Sequence, residues 1–301
     1  MKIVKIIGGL GNQMFQYAFF IALKKTDKNV KMDVSSFQNY TLHQGFELKQ
    51  LFGATQNEFA LIDEIASLKD TQKQFSLRKN IGKLLFSKPG KFIKKSHLIQ
   101  ANYSQYDSTL KDLGNIYYDG YWQSEKFFGE CKQQIINVFK WKIINKKNRV
   151  TAEKMQSENS VAIHIRRFDS PKNLKELYLR LRLVILWRVC SQKYYLNALS
   201  YITENVDNPK VYIFTDNINW VKSNIPQVDN YKIVDWNRSK DSHYDMYLMS
   251  QCKHNVISMS SFSWWGAWLN DNPEKIVVAP KKWAVRFTKD IDLIPQEWKR
   301  M

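Results

Sequence analysis

The chain has 301 residues, 44% apolar and 25% charged, enough to bury a full core as one large domain or two ordinary ones. Glycine and proline are scarce, and the three cysteines (Cys131, Cys190, Cys252) lie far apart, which excludes collagen-like, Pro/Gly-rich disordered, disulfide-framework and Cys-rich zinc classes and fits a reducing compartment. Lys and Arg number 46 against 28 Asp and Glu, a formal charge of +18, and such a field favours anionic partners: nucleic acid, an anionic membrane face or a phosphorylated substrate.

The first element is KIVKII over 2–7, a short β-branched run ending at Gly8-Gly9 that reads as a buried strand entering a tight turn. It is too short and too interrupted for a signal peptide, and no later apolar run reaches the length of a membrane span, so a cytoplasmic chain is expected. Residues 12–25 lack Gly and Pro and end in Lys24-Lys25, which predicts a helix with Asn12 near its N-cap. With a strand at 30–34, the opening is a βαβ unit. The region 35–157 is less legible. Spacing is helical over 58–69, strand-like over 116–122 and helical again over 125–141, followed by a basic connector over 142–149. Residues 69–100 carry nine basic residues against one acid, Asp70.

From about 158 strands and helices alternate. Strands are predicted at 160–165, 210–214, 231–234, 255–258 and 275–279, with helices at 193–205, 217–223, 243–253 and 260–270. The fold class is therefore α/β, with two Rossmann-like domains facing a central cleft, one over 1–157 and one over 158–301.

Ligands in open α/β sheets bind beyond the carboxyl ends of strands. Gly9-Leu10-Gly11-Asn12-Gln13-Met14 is a partial dinucleotide fingerprint, lacking the third glycine, with only Asp33 as an acidic follower. Its glycines and helix N-terminus still let a backbone approach a ligand, although a plain βα turn accounts for the spacing equally well. His164-x-Arg166-Arg167-x-Asp169 is sharper. His164 and Arg166 share one strand face, and adjacent arginines after an apolar strand suit a phosphate, with a surface ion-pair cluster as the alternative. Asp169 is placed either to orient an arginine or to act as a base. Ser260-Ser261-Phe262-Ser263 at a strand-to-helix junction is a second anion cradle or a simple N-cap. Trp264, Trp265 and Trp268 read as core. Asp245 is a lone carboxylate suited to the N–H donors of guanine, with an N-cap or surface role as the alternative. Asp290-Ile291-Asp292 matches a metal-binding DxD but lies in a polar tail and reads as a loop, so no metal site is expected.

Taken in order, GGLGNQMFQYAFF, HIRRFD, FTDNINWV and HYDMYLMSQCKHNVISMSSFSWWGAWLN resemble the bacterial α-1,2-fucosyltransferases of glycosyltransferase family 11, over nearly the whole chain. The resemblance implies a GT-B-like fold, GDP-fucose as donor with no cofactor or metal, inversion at the anomeric carbon, and a β-galactosyl-type glycan acceptor in a surface polysaccharide or O-antigen. It implies that Arg166 binds the β-phosphate and Arg167 supports the departing GDP. His164 and Asp245 would then face guanosine, Ser260 or Ser261 would hold the pyrophosphate beside Phe262, and Asn12 and Gln13, with Gly9 and Gly11, would lie near the sugar. Phe168 and Ser170 around Asp169, and Met259 before the two serines, depart from the family pattern and bring in another GDP-deoxysugar as the alternative donor.

The basic stretch 69–100 and the Leu/Arg-rich segment 171–189 suggest peripheral contact with an anionic membrane at its cytoplasmic face. Nucleic acid is not expected as a partner, since basic and aromatic residues do not interleave on one element. A lectin-like module that has lost catalysis is a further alternative.

Overall fold

The computed structural model describes residues 1–38, 44–70, 91–94, 96–100, 105–167, 190–226, 230–283 and 292–301. Phe168, Asp169, Ser170, the segment 171–189, most of the basic stretch before Lys91, and Asp290 lie outside these residues. The chain divides into two compact α/β units, Met1–Lys142 and Ile143–Met301.

In the first unit, β1 (Lys2–Lys5), β2 (Val30–Asp33), β3 (Lys91–Lys94), β4 (His97–Ile99) and β5 (Ile116–Asp119) form a sheet in the order β2-β1-β5-β4-β3. All pairs are parallel except β3 with β4. The helices are α1 (Leu10–Thr26), α2 (Leu48–Phe52), α3 (Ile62–Leu68) and α4 (Lys132–Val138). Helix α1 is buried on nearly every side, which its apolar sequence permits, and Phe19 stacks on Trp122 at 4.5 Å.

The turn from β1 into α1 is built by side-chain amides. Gly8 has φ +90°, a value that favours glycine, and a Cβ there would meet the Asn12 side chain at 2.9 Å. The helix starts at Leu10 with Gly9 as N-cap, so Asn12 lies in the first turn, near the cap as expected. Buried Gln16 accepts from Ile7 N–H at 2.9 Å and donates to Gly120 O at 2.9 Å, tying the carboxyl end of β1 to that of β5.

The second unit holds α5 (Lys146–Ser157), β6 (Ser160–Ile165), α6 (Gln192–Asn205), β7 (Lys210–Thr215), α7 (Ile218–Asn224), β8 (Tyr231–Val234), α8 (His243–Gln251), β9 (His254–Val256), α9 (Ser261–Trp268), β10 (Val277–Ala279) and β11 (Lys299–Arg300). Its sheet is wholly parallel in the order β11-β10-β9-β6-β7-β8. In chain order of its strands this is the Rossmann arrangement, with the reversal between β6 and β9. Strand β6 is buried throughout, as a central parallel strand must be. The α/β class and the Rossmann-like halves expected from the sequence are both present.

Two expectations are corrected. The helix expected over 125–141 is two short turns, Glu125–Phe127 and Gly129–Cys131, before α4, because Phe127, Phe128 and Cys131 turn inward there. The connector expected over 142–149 instead enters α5, capped by Asn145, which accepts from Asn148 N–H at 2.9 Å. Its basic composition hides an inner face of Asn148, Ala152 and Met155. Helix α5 packs on α8, so the units divide after Lys142 and not after 157.

Substituting Gln16→Leu keeps the volume but strands a backbone N–H and a carbonyl. We expect a loss of about 1–3 kcal/mol for each group left unpaired, read as a lowered melting temperature. An unchanged melting temperature would contradict the role of Gln16 as the tie between β1 and β5.

Candidate active site

At the reversal between β6 and β9 the chain leaves neighbouring strands toward opposite sides, opening a crevice at their carboxyl ends. His164 and Ser258 line it and bind each other, His164 Nδ1 to Ser258 Oγ at 2.7 Å. Burial first, then the nearby Arg166 charge, lowers the His164 pKa to about 4, while Asp216 pulls the other way. The imidazole is therefore neutral at pH 7. It ties the end of β6 to the loop that carries Ser260, and its ring lies 6.0 Å from that of Phe262.

Past β6 come the two arginines. Asp216, at the carboxyl end of β7, accepts from the Arg167 backbone N–H at 2.8 Å and meets Arg166 Nη1 at 3.2 Å. The Arg167 guanidinium donates to Cys190 O at 3.0 Å and lies over the Trp220 ring at 4.2 Å. Arg167 thus braces the turn from the side of the apolar core. Arg166 remains partly exposed, its charge held in place by Asp216. Asp169, the expected base, is outside the described residues.

Helix α9 opens at the same edge. Ser260 is its N-cap and accepts from Phe262 N–H at 3.3 Å, while Ser263 donates to Ser260 O at 3.2 Å. Ser261 stands in the first turn, partly exposed. The helix N-terminus and these hydroxyls sit on the same loop that His164 anchors, giving donors and positive potential on one side of the crevice and Arg166 on the other. Trp264, Trp265 and Trp268 face inward as expected, and Trp264 Nε1 donates to Leu293 O at 2.7 Å. Gly266 lets α8 approach, since a Cβ there would lie 2.8 Å from that of Met249.

Asp245 is in the first turn of α8, at the carboxyl edge because α8 leaves β8 there and returns to start β9. Burial pushes its pKa up to about 7, against a hydrogen bond from Asn237 and the Arg238 charge. The Asn237 amide donates to Asp245 Oδ1 at 2.9 Å. Asn237 and Asn148 exchange amide hydrogen bonds at 2.9 and 3.0 Å, and Trp236 Nε1 also donates to Asn148 at 3.0 Å. This support for Asp245 carried no motif in the sequence. Asp216 and Ser258 were visible only as polar residues at strand ends.

In the first unit the candidates have different fates. Gly9 and Gly11 are in the turn, and the Asn12 side chain accepts from Gln123 Nε2 at 2.9 Å. Gln13 is fully buried and donates to Gly8 O at 2.9 Å and Gly45 O at 2.7 Å, while accepting from Glu47 N–H at 3.0 Å. It shapes the turn through backbone bonds. Asp33 is also fully buried. Despite its burial, hydrogen bonds from Ser35 and from Tyr117 (2.6 Å), with the Lys69 charge, keep its pKa below the ordinary value, so it is committed to the fold. No cluster of three His, Cys, Asp or Glu able to hold a metal occurs among the described residues, and none of the described helices is long and apolar enough to cross a membrane.

A Rossmann switch point with a partly exposed arginine after one strand and a capped helix N-terminus after its neighbour is the arrangement of a nucleotide-dependent α/β enzyme. The family model "Glycosyl transferase family 11" matches residues 1–301, and the chain belongs to that family. It is 30% identical over 307 residues to an α-1,2-colitosyltransferase of Escherichia coli, covering 99% of this chain and 98% of the relative. It is 29% identical to the O-antigen biosynthesis glycosyltransferase WbnK of Escherichia coli, covering 92% of each. Among solved structures it is similar to the fucosyltransferase NodZ from Bradyrhizobium, at 12% identity and TM-score 0.45, covering 88% of this chain and 90% of that one.

The buried carboxyl of Asp245 makes a pH prediction. Its folded pKa of about 7 lies above the ordinary 3.8, so between these values the folded chain holds a proton that the unfolded chain has released. This group therefore disfavours folding increasingly as pH rises through that interval. Asp245→Asn should raise the melting temperature at pH 8 and leave it unchanged near pH 4. An equal shift at both pH values would contradict the burial of an ionisable carboxyl.

Proposed function

We propose that this family 11 glycosyltransferase moves a 6-deoxy sugar, L-fucose or its 3-deoxy counterpart, from a GDP donor to the 2-hydroxyl of a galactosyl-type acceptor in surface polysaccharide or O-antigen synthesis. The observation that carries the reading is the carboxyl edge between β6 and β9, where Arg166, held by Asp216, and the N-terminus of α9 supply fixed positive charge.

The chemistry follows from the leaving group. As the bond from the anomeric carbon to the β-phosphate oxygen breaks, negative charge grows on the diphosphate. Arg166 and the N–H groups of α9 meet that charge without having to reorganise. Arg167, through Cys190 and Trp220, keeps the turn from moving as the charge develops. Asp245 accepts from the paired N–H donors of guanine, which a half-protonated carboxyl does once it sheds its proton. The sugar becomes oxocarbenium-like, the acceptor oxygen attacks from the face opposite GDP, and configuration inverts. The reaction needs no metal in this account, since arginine and helix N–H groups carry the phosphate charge.

A specific observation favours the 3-deoxy donor as the second reading. Met259, between Ser258 and Ser260, is partly buried against the apolar core cluster and offers no polar group at a position where the family pattern has an asparagine. A donor lacking one ring hydroxyl asks for no partner at that point, and a relative 30% identical to this chain is a colitosyltransferase. Membrane contact rests on the charge of +18 and remains part of the proposal, as an attraction of the whole chain to anionic lipid where lipid-linked glycans are displayed.

GDP release should be measured over a panel of nucleotide sugars with a chelator present. Turnover is expected with GDP-fucose or GDP-colitose, and Arg166→Ala should reduce it by at least about a hundredfold. Activity confined to a UDP-sugar, or lost on chelation, would overturn the reading.

A further inference from the structure

Asn148 is fully buried on α5, on the same inner face as the apolar Ala152 and Met155. Packing alone does not ask for an amide there, and a buried amide must have its hydrogen bonds met. They are met in a line that crosses from α5 to α8. Trp236 Nε1 donates to Asn148 Oδ1 at 3.0 Å, and Asn148 Nδ2 donates to Asn237 Oδ1 at 2.9 Å. Asn237 Nδ2 donates back to Asn148 Oδ1 at 3.0 Å and on to Asp245 Oδ1 at 2.9 Å. All four residues belong to the second unit. Asn148 is on α5, Trp236 and Asn237 are in the loop after β8, and Asp245 is in the first turn of α8, which packs on α5.

The line has a direction, and one residue sets it. A pair of amides is indifferent to polarity by itself, because turning both over exchanges donors for acceptors and keeps the bonds between them. The indole N–H of Trp236 donates and never accepts. It therefore requires the oxygen of Asn148 at that position. The Asn148 nitrogen must then face the Asn237 oxygen, and the Asn237 nitrogen faces Asp245. Asp245 thus meets a donor, which favours its ionised form. With both amides reversed it would meet a carbonyl, and the carboxyl would have to keep its proton to make the bond. The indole is itself held in place, with Lys147 over its ring at 4.3 Å.

We propose that Trp236 and Asn148 are positioning residues for base selection: through Asn237 they fix the direction and charge of the Asp245 carboxyl, so that the site takes a nucleotide whose base edge offers two adjacent N–H donors and rejects one whose edge offers an acceptor. This rests on the reading above, in which Asp245 faces the guanine, and adds what holds it to that task. Asn237 occupies a single lone pair of Oδ1, and no other described residue gives the carboxyl a hydrogen bond. Oδ2 and the second lone pair of Oδ1 are left for the N1–H and N2–H groups of guanine. Adenine presents N1 as an acceptor at the equivalent place, where a carboxylate repels it. Burial works against the charge and pushes the Asp245 pKa up to about 7, while the Asn237 hydrogen bond and the Arg238 charge, both from the loop after β8, oppose it.

The test is calorimetric binding of GDP, inosine diphosphate and ADP to the whole chain, with melting temperature for each variant. Donor KM and kcat are read as GDP release from GDP-fucose and GDP-colitose. Inosine diphosphate lacks only the 2-amino group of GDP. Wild type should bind GDP about 10–100-fold more tightly than inosine diphosphate, the worth of one hydrogen bond to a charged acceptor, and ADP more weakly still. Trp236→Phe keeps a ring under Lys147 and removes the N–H. It should weaken GDP about tenfold, bring inosine diphosphate to within threefold of GDP, and raise donor KM with kcat within threefold of wild type, because base contacts are made equally in the ground and transition states. Asn148→Leu should do the same, and should it fail to fold, Trp236→Phe decides alone. A Trp236→Phe chain that keeps the wild-type ratio of GDP to inosine diphosphate affinity, whatever its melting temperature, would overturn the proposal, as would a fall in kcat at unchanged KM. Asp245→Ala separates the two levels. If it erases the ratio while Trp236→Phe keeps it, the relay fails and the reading of Asp245 stands. If Asp245→Ala keeps the ratio too, or wild type neither distinguishes the nucleotides nor releases GDP from either donor, both fail.

Discussion

In the proposed reaction a diphosphate leaving without a metal needs positive charge already standing where the β-phosphate will be, and that requirement falls on Asp216. One carboxylate oxygen takes the backbone N–H of Arg167 and the other meets the guanidinium of Arg166. The pair fixes the turn after β6 against the end of β7 and aims Arg166 while leaving it partly open. Arg167 is spent on Cys190 and Trp220, so the two adjacent arginines do different work: one carries charge and one carries position. The second wall is set by His164, whose bond to Ser258 ties β6 to the loop opening α9. Because burial keeps the imidazole neutral, that wall keeps its shape across the working pH range.

Each unit places its polar groups at the reversal point of its own sheet. In the second unit they are arginine, serine and a helix N-terminus, which suit phosphate. In the first they are side-chain amides bound to backbone groups. Gln13, Gln16 and Gln100 are committed to backbone groups around that edge, a use of side-chain amides that holds loops still without adding charge. The raised pKa of Asp245 comes from burial, and the stability given up there is consistent with a functional site.

Much of this was legible in the sequence. Alternation of apolar runs and helical spacing located every strand of the second sheet except β11, whose two residues are too few to show a period. Strand-end reasoning picked out His164, Arg166, Arg167, Ser260 and Asp245, because chemistry in an α/β sheet gathers at the carboxyl edge. What escaped depends on contacts between residues far apart in the chain. Asn148 supports Asp245 through Asn237, across 89 positions of sequence, and no local pattern announces an amide pair. Helix α5 was hidden by its lysines. Helix α1 begins two residues before the expected start at Asn12, with Gly9 as its cap.

A structure of the protein with GDP bound tests the account most directly. It should place the β-phosphate within hydrogen-bonding distance of Arg166 and of the first N–H groups of α9, with the guanine against Asp245. A diphosphate bound away from the β6–β9 edge, or an Arg166 guanidinium turned to solvent with GDP present, would contradict it.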